Sequence, residues 1–120
     1  MSTLSEIKND IKTKNFSPIY LLMGEEEFYI DNITNLFIEN VLTEQEKQFN
    51  LNILYGKDIS VDQIISVCKR YPLNSLYQIV LIKEAQDLSR SFDGLIDYFK
   101  QPLNSTILII NYKHKSIDKR

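Results

Sequence analysis

The residues that follow the first apolar run of the chain could form a phosphate-binding loop. Gly24 comes directly after the run 18–23, where a nucleotide-binding protein would turn from its first strand into a helix. Such a loop needs the pattern G-x-x-x-x-G-K-[ST], whose glycines allow close approach, whose lysine binds phosphate and whose hydroxyl binds magnesium. Tyr29 and Ile30 stand where the second glycine and the lysine belong. The motif is therefore broken at this turn.

The charge of the same turn also opposes phosphate binding. Glu25, Glu26 and Glu27 directly follow the glycine. A helix N-terminus attracts an anion by roughly 0.3 to 1 kcal/mol. One carboxylate at roughly 6 Å from a phosphate charge repels it by about 3 kcal/mol at an effective dielectric constant of ~20. We therefore expect no phosphate site, and we expect the glutamates to favour the first turn of a helix.

Two later positions are those where an active NTPase would carry magnesium and phosphate ligands. Lys83 follows the apolar run 79–82, where a magnesium-dependent enzyme would place an aspartate, and a lysine there repels the metal. Asn111 ends the last apolar run and could sense a γ-phosphate in an active enzyme. We favour the simpler interpretation of Asn111 as a hydrogen-bonded amide at a strand end.

The remaining candidates for chemistry have no partners at a suitable spacing. Cys68 is the one cysteine and is interpreted as an apolar filler, and His114 is the one histidine and lies between two lysines in a polar segment. Asp58 and Asp62 flank a helix start and are better explained as helix-start carboxylates than as a catalytic pair. The sequence therefore predicts no catalytic residue, no metal site and no cofactor.

Composition bounds the class of protein. The chain has 120 residues, 43% of them hydrophobic, and a formal net charge of −2, which favours one globular domain without a global attraction to nucleic acid or membrane. No apolar run approaches the length of a membrane span, and the N-terminus lacks the pattern of a signal peptide. We therefore expect a cytoplasmic protein. The polar run 113–120 lacks a closing element, which indicates a fragment of a longer chain.

Apolar periodicity predicts alternating helices and strands. Four strands are predicted, over 18–23, 49–55, 79–82 and 106–110, and the second is expected at an edge of the sheet. A helix is predicted over 3–14, before the first strand, and another over 26–42, with an apolar stripe from Phe28 to Val41. A third helix runs from a Ser60–Gln63 capping box to Arg70, and a fourth, before the last strand, is marked by Leu88, Phe92, Leu95, Ile96 and Phe99. This order predicts an α/β fold of three layers, in which a parallel sheet has helices on both faces.

One connection carries more apolar residues than a surface loop needs. The segment Tyr71–Tyr77, which we call the 71–77 loop, contains two leucines and two tyrosines. Connections usually run over the surface, and clustered apolar side chains there often mark a binding site. We expect Leu76 and Tyr77 to fold back onto the core and Leu73 to protrude.

Four stretches together resemble one known family. In chain order they are P-I-Y-L-L-M-G-E-E-E-F, F-N-L-N-I-L-Y-G, Y-P-L-N-S-L-Y-Q-I-V-L-I-K-E-A-Q-D-L and T-I-L-I-I-N-Y-K. Their order and spacing resemble the N-terminal domain of the bacterial DNA polymerase III delta subunit, a part of the clamp loader. The resemblance covers nearly all of residues 1–120. It implies an AAA+-like, P-loop NTPase-like core without a functional phosphate-binding loop and with strand order 1-4-3-2, followed in the whole subunit by lid and collar domains.

The resemblance also implies a function. Such a subunit binds and opens the DNA polymerase III sliding clamp during DNA replication, without ATPase activity of its own. The implied partners are the sliding clamp (beta subunit) and the tau/gamma and delta prime subunits, with DNA contacted only through the complex. The holoenzyme as a whole is a DNA-directed DNA polymerase, which is a nucleotidyltransferase.

The resemblance places the clamp contact in the 71–77 loop. In the family, an apolar pair at the tip of the helix before the third strand inserts into a hydrophobic pocket of the clamp. Leu73 occupies the first place of that pair. Asn74 occupies the second place, which is usually apolar, so Leu76 or Pro72 is an alternative there.

Two other functions compete with this interpretation. A degenerate P-loop nucleotide-binding enzyme would share the fold, but Glu25–Glu27 and Lys83 count against it. A flavodoxin-like binding domain would need acidic residues after its first strand and a phosphate-accepting aspartate after its third. The glutamates meet the first requirement, whereas Lys83 fails the second.

Overall fold

A computed structural model describes residues 4–24, 26–88 and 93–113 of the chain. The helices and strands in those ranges are α1 (Leu4–Thr13), β1 (Ile19–Gly24), α2 (Glu27–Val41), α3 (Glu44–Asn50), β2 (Leu51–Tyr55), α4 (Val61–Cys68), β3 (Gln78–Lys83), α5 (Asp93–Lys100) and β4 (Thr106–Lys113). Short 3₁₀ turns at Gly56–Asp58 and Ala85–Asp87 follow β2 and β3.

The four strands form one parallel sheet in the order β1-β4-β3-β2. The order confirms the one that the resemblance implied, and β2 lies at an edge, as its alternating sequence predicted. Since all strands run in the same direction, their amino ends meet at one end of the sheet and their carboxyl ends at the other.

Two apolar layers cover the sheet and confirm the predicted three-layer fold. Alternate residues of β4 serve opposite faces: Ile107 and Ile109 pack with α1 and α2, whereas Leu108 and Ile110 pack with α4 and α5. These four side chains are 2% exposed or less. Burial on both faces explains why β3 and β4 are continuous apolar runs rather than alternating ones.

The segment before β2 differs from the prediction. Phe49 and Asn50 end helix α3, and the strand begins only at Leu51. A capping box starts this helix, because the Thr43 amide donates to Glu46 Oε1 (2.9 Å) and the Glu46 amide donates to Thr43 Oγ1 (3.1 Å). The predicted box at Ser60 and Gln63 is confirmed by two equivalent hydrogen bonds of 2.9 and 3.2 Å. Both helices thus begin where a hydroxyl and a residue three positions later exchange hydrogen bonds.

Three smaller expectations are also corrected. Phe28 is 74% exposed and does not belong to the buried stripe of α2, because it lies at the solvated start of that helix. Leu88 follows a 3₁₀ turn in extended conformation and precedes α5 instead of belonging to it, and Phe92 lies outside the described residues. Strand β4 does not end at Asn111 but continues to Lys113, since it pairs with β1 as far as Gly24.

Candidate functional site

The turn after β1 offers little to a phosphate group. Gly24 has φ +147°, a conformation that favours glycine, and Glu26 is the N-cap of α2 without a side-chain capping bond. Glu27 lies in the first turn of the helix, as expected, and both carboxylates are exposed. Glu25 lies outside the described residues. A nucleotide would need the N-terminus of α2 to bind its phosphates. In the described residues, two negative charges lie there instead.

Lysines end the two central strands. Lys83 ends β3, and Lys113 ends β4 and forms ion pairs with Asp31 (3.3 Å) and Glu84 (3.6 Å). Two half-exposed carboxylates thus share a single cation, an arrangement that contributes little to stability. Among residues 4–24, 26–88 and 93–113, no group of three or more His, Cys, Asp or Glu side chains is arranged to hold a metal ion.

Asn111 is buried beneath α2 and is only partly hydrogen-bonded. Its Oδ1 lies 3.3 Å from the Thr34 hydroxyl, which also lies 2.9 Å from the carbonyl oxygen of Ile30. A hydroxyl has one proton to donate, so Thr34 serves one of these acceptors at a time. The Asn111 Nδ2 has no partner within the described part of the chain. The prediction of a hydrogen-bonded strand-end amide is therefore wrong for its nitrogen and holds only for its oxygen.

Three other predicted residues, Cys68, Asp58 and Asp62, lie where they were expected. Cys68 is fully buried between α4 and the sheet, and burial raises the pKa of its thiol to about 12, so it is an inert filler. Asp58 lies in a 3₁₀ turn and Asp62 in the first turn of α4, on either side of the Ser60 cap. His114 lies outside the described residues.

The 71–77 loop lies directly before the amino end of β3, at the end of the sheet opposite to the turn after β1. Its side chains are unusually exposed for apolar residues: Tyr71 is 78% exposed, Leu73 53% and Leu76 83%. The exposure of Leu73 confirms the expectation that it protrudes. The expectation for Leu76 is wrong, whereas Tyr77 does pack against the core.

The backbone of the loop explains the direction of these side chains. Asn74 adopts φ 55°, a left-handed conformation that asparagine tolerates better than most residues. The Ser75 hydroxyl donates to the Tyr77 carbonyl (2.9 Å) and accepts from the Tyr77 amide (3.3 Å). This tight turn directs Tyr77 inward and leaves Leu76 in solvent. Pro72, the other alternative for the second apolar place, is half-buried.

Two buried amides fix the loop to the rest of the protein, one next to its ends and one at Leu73. Gln78, at the end of the loop, donates from Nε2 to the carbonyls of Val67 (3.0 Å) and Arg70 (2.9 Å) and lies 3.0 Å from Thr106 Oγ1. Asn50, at the end of α3, exchanges two hydrogen bonds with the backbone of Leu73. The loop therefore presents exposed apolar side chains on a backbone that the rest of the fold holds in place.

Sequence reasoning missed Asn50, because it assigned this residue to a strand. The Thr43–Glu46 capping box was the signal for a helix, and a helix ending at residue 50 would have put Asn50 at a position where its amide is free to bind another segment. Its contact with a residue 23 positions away has no sequence signal of its own.

A shallow groove lies on the surface formed by the first two helices. It lies between α1 and α2 and is lined by Lys8, Tyr29, Asn32, Ile33, Asn35, Leu36 and Glu39. All of these residues belong to the two helices, and none comes from a strand. In the ranges that the structure describes, no helix is long and apolar enough to cross a membrane.

Comparison with known proteins gives one consistent result. The family model described as "DNA polymerase III, delta subunit" matches residues 20–120. The DNA polymerase III subunit delta of Bacillus subtilis (strain 168) is 18% identical over 96% of this chain. The chain spans only 36% of that relative's length.

Solved structures share the fold. The Bacillus subtilis DNA clamp loader delta protein superposes with a TM-score of 0.84 at 18% identity, over 98% of this chain and 38% of that one. A DNA polymerase III gamma subunit-related protein from Thermotoga maritima superposes with a TM-score of 0.61 at 11% identity, over 89% of this chain and 39% of that one. At these identities the likeness establishes the α/β fold alone.

Proposed function

Because the chain belongs to the DNA polymerase III delta subunit family, we propose that it binds the sliding clamp through the 71–77 loop and helps to open it, without hydrolysing ATP. Leu73 is the first anchor in this proposal. Leu76 takes the second apolar place, because it is 83% exposed whereas Pro72 is half-buried and Asn74 is polar.

The observation that carries the proposal is the exposure of leucines on a fixed backbone. An exposed leucine gains free energy when it enters an apolar pocket of a partner, at about 25 cal/mol for each Å² removed from water. Because the hydrogen bonds of Asn50, Ser75 and Gln78 already order the loop, less conformational entropy is lost on binding. Such a loop is suited to insertion into a preformed hydrophobic pocket.

The wider assignment is also a proposal. Residues 1–120 form the AAA+-like N-terminal domain of a longer subunit, in which lid and collar domains follow. The share of the relatives' length that this chain covers, 36% and 38%, supports this division. The partners would be the sliding clamp and the tau/gamma and delta prime subunits, in the cytoplasm, with DNA reached only through the assembled clamp loader.

The alternatives receive no support from the carboxyl ends of the strands. A nucleotide enzyme would need a cation and a hydroxyl near Gly24, where Glu26 and Glu27 lie instead. A flavodoxin-like phosphoacceptor would need an aspartate at the end of β3, where Lys83 lies.

Binding of the cognate clamp to the Leu73→Ala variant tests the proposal. Truncating an interface anchor costs about 2 kcal/mol or more, which is roughly a thirtyfold loss of affinity, and the melting temperature should stay unchanged because Leu73 is exposed. Ile96→Ala is the matched control, since Ile96 is 45% exposed on α5 and belongs to no proposed interface. A Leu73→Ala variant that binds the clamp as tightly as Ile96→Ala overturns the proposed site.

A further inference from the structure

Asn50 holds the backbone of Leu73 through two hydrogen bonds. The Leu73 amide donates to Asn50 Oδ1 (2.7 Å), and Asn50 Nδ2 donates to the Leu73 carbonyl (2.9 Å). The same Nδ2 donates to the carbonyl of Glu46 (3.0 Å), one turn earlier in α3. Asn50 is 1% exposed, and these hydrogen bonds give both polar atoms of its side-chain amide a partner inside the protein.

Helix α3 is itself fixed, which gives Asn50 a defined position. The Thr43–Glu46 capping box holds the start of the helix. Lys47 also forms ion pairs with Glu39 of α2 (2.9 Å) and Glu44 (2.6 Å), but both carboxylates are exposed, so these pairs add little. Asn50 is the last residue of the helix and immediately precedes edge strand β2. Its side-chain amide therefore holds the backbone of Leu73, 23 residues later in the sequence, in a fixed position relative to α3 and the sheet.

Only the backbone of Leu73 is held, and its side chain stays half-exposed. The two hydrogen bonds of Asn50 therefore fix where the backbone of Leu73 lies without burying its side chain. We infer that Asn50 is a positioning residue, which fixes the backbone of Leu73 so that its side chain projects towards the clamp. This inference rests on the proposed function of the 71–77 loop.

The experiment compares variants that remove the amide from the loop. Asn50→Ala removes both hydrogen bonds to Leu73. Asn50→Ser removes them as well but keeps a hydroxyl that can bond the carbonyl four residues earlier, that of Glu46, and it is therefore the milder variant for folding. The matched control is Asn111→Ala, which truncates another fully buried asparagine at the opposite end of the sheet.

Three quantities are measured on each variant: the affinity for the clamp, the melting temperature and the hydrogen exchange rate of the Leu73 amide. We expect the Asn50 variants to bind the clamp about three- to tenfold more weakly, because the freed backbone around Leu73 must then be ordered on binding. The Leu73 amide should lose its protection from exchange. Asn111→Ala should leave both clamp affinity and Leu73 exchange unchanged.

A double-variant cycle separates positioning from a general loss of stability. If Asn50 acts through Leu73, then adding Asn50→Ser to Leu73→Ala should weaken clamp binding by much less than adding it to the parent chain. Equal effects in the two backgrounds overturn the inference, and so does a failure of both Asn50 variants to fold.

The outcomes also separate this inference from the proposed function. If Leu73→Ala binds the clamp like the parent, the proposed site fails and the inference fails with it. If Leu73→Ala binds weakly while the Asn50 variants bind like Asn111→Ala, the clamp site stands and the positioning role of Asn50 is overturned.

Discussion

The ring of Tyr77 meets the ring of Phe16 edge to face, with centroids 5.3 Å apart and an angle of 85° between the planes. Phe16 lies in the connection before β1, and both rings pack against the core layer under α1 and α2. This contact anchors the 71–77 loop one residue after its most exposed side chain, Leu76.

The neighbours Leu76 and Tyr77 should therefore respond oppositely to truncation. Tyr77→Ala loses the edge-to-face contact and buried apolar area, which should lower the free energy of unfolding by about 2 kcal/mol. Leu76→Ala should change it by less than about 0.5 kcal/mol, because the side chain is in solvent, but should weaken clamp binding. Urea unfolding and clamp titration of both variants measure the two effects. A Leu76→Ala variant that is clearly destabilised would place this side chain in the core.

Much of the sheet could be predicted from sequence, because strands buried on two faces are continuous apolar runs. The runs before Lys83 and around Ile109 have this form, and both strands lie where they were expected. The strand order could not be obtained from periodicity, since pairing between distant strands has no local signal; it came from the resemblance to a known family.

The errors arise where one local pattern fits two structures. Phe49, Leu51 and Ile53 alternate with polar residues, which is typical of a strand, yet a capping box at Thr43 starts a helix that extends to Asn50. For the candidate site, the exposure of Leu73 was predictable from its place after Pro72. The anchoring of the Leu73 backbone could not be predicted, because it depends on a hydrogen bond from the side-chain amide of Asn50, which lies in a separate segment.

Alkaline pH should destabilise the protein through buried acids. Burial raises the pKa of the Cys68 thiol from 9.0 to about 12. Burial and a 2.7 Å hydrogen bond to Asp10 raise the pKa of the Tyr20 phenol from 10.0 to about 12. The unfolded chain releases these protons at lower pH than the folded one, so their stabilisation is complete below about pH 9 and is lost as the pH rises towards 12.

Urea unfolding across this pH range tests the assignment. The free energy of unfolding should fall from about pH 9 upwards in the parent, and the fall should be smaller when Cys68→Ala and Tyr20→Phe are combined. Tyr98, whose pKa burial also raises, accounts for part of the residual slope. An unchanged slope in the combined variant would contradict the role of these two groups.

Gly56 packs where a side chain does not fit. A Cβ atom at this position would overlap the carbonyl oxygen of Glu84 and lie 3.2 Å from the amide nitrogen of Leu88. Both of those atoms are backbone, so relieving the overlap requires the turns after β2 and β3 to separate. Gly56→Ala should lower the free energy of unfolding by about 1 to 3 kcal/mol.

Gly94 is the matched control for this substitution. A Cβ there would lie 2.8 Å from Cγ1 of Val61, which is a side-chain atom rather than backbone, and alanine favours a helix over glycine by about 0.5 to 1 kcal/mol, which offsets part of the cost of this contact. Gly94→Ala should therefore stay within about 0.5 kcal/mol of the parent in thermal or urea unfolding. Equal losses in the two variants would show that the Gly56 contact is not specific.

The last prediction concerns nucleotides: calorimetric titration of the chain with magnesium-ATP or magnesium-GTP should give no heat of binding. The turn after β1 carries Glu26 and Glu27 at the N-terminus of α2, and Ile30 occupies the place of the phosphate-binding lysine. Replacing both glutamates by glutamine removes repulsion of about 3 kcal/mol per charge at roughly 6 Å but supplies no phosphate ligand, so this variant should also give no signal. Binding by the glutamine variant alone would mean that the carboxylates are the sole obstacle. A micromolar dissociation constant for the parent chain would overturn the proposal of an ATP-independent subunit and favour the degenerate P-loop enzyme.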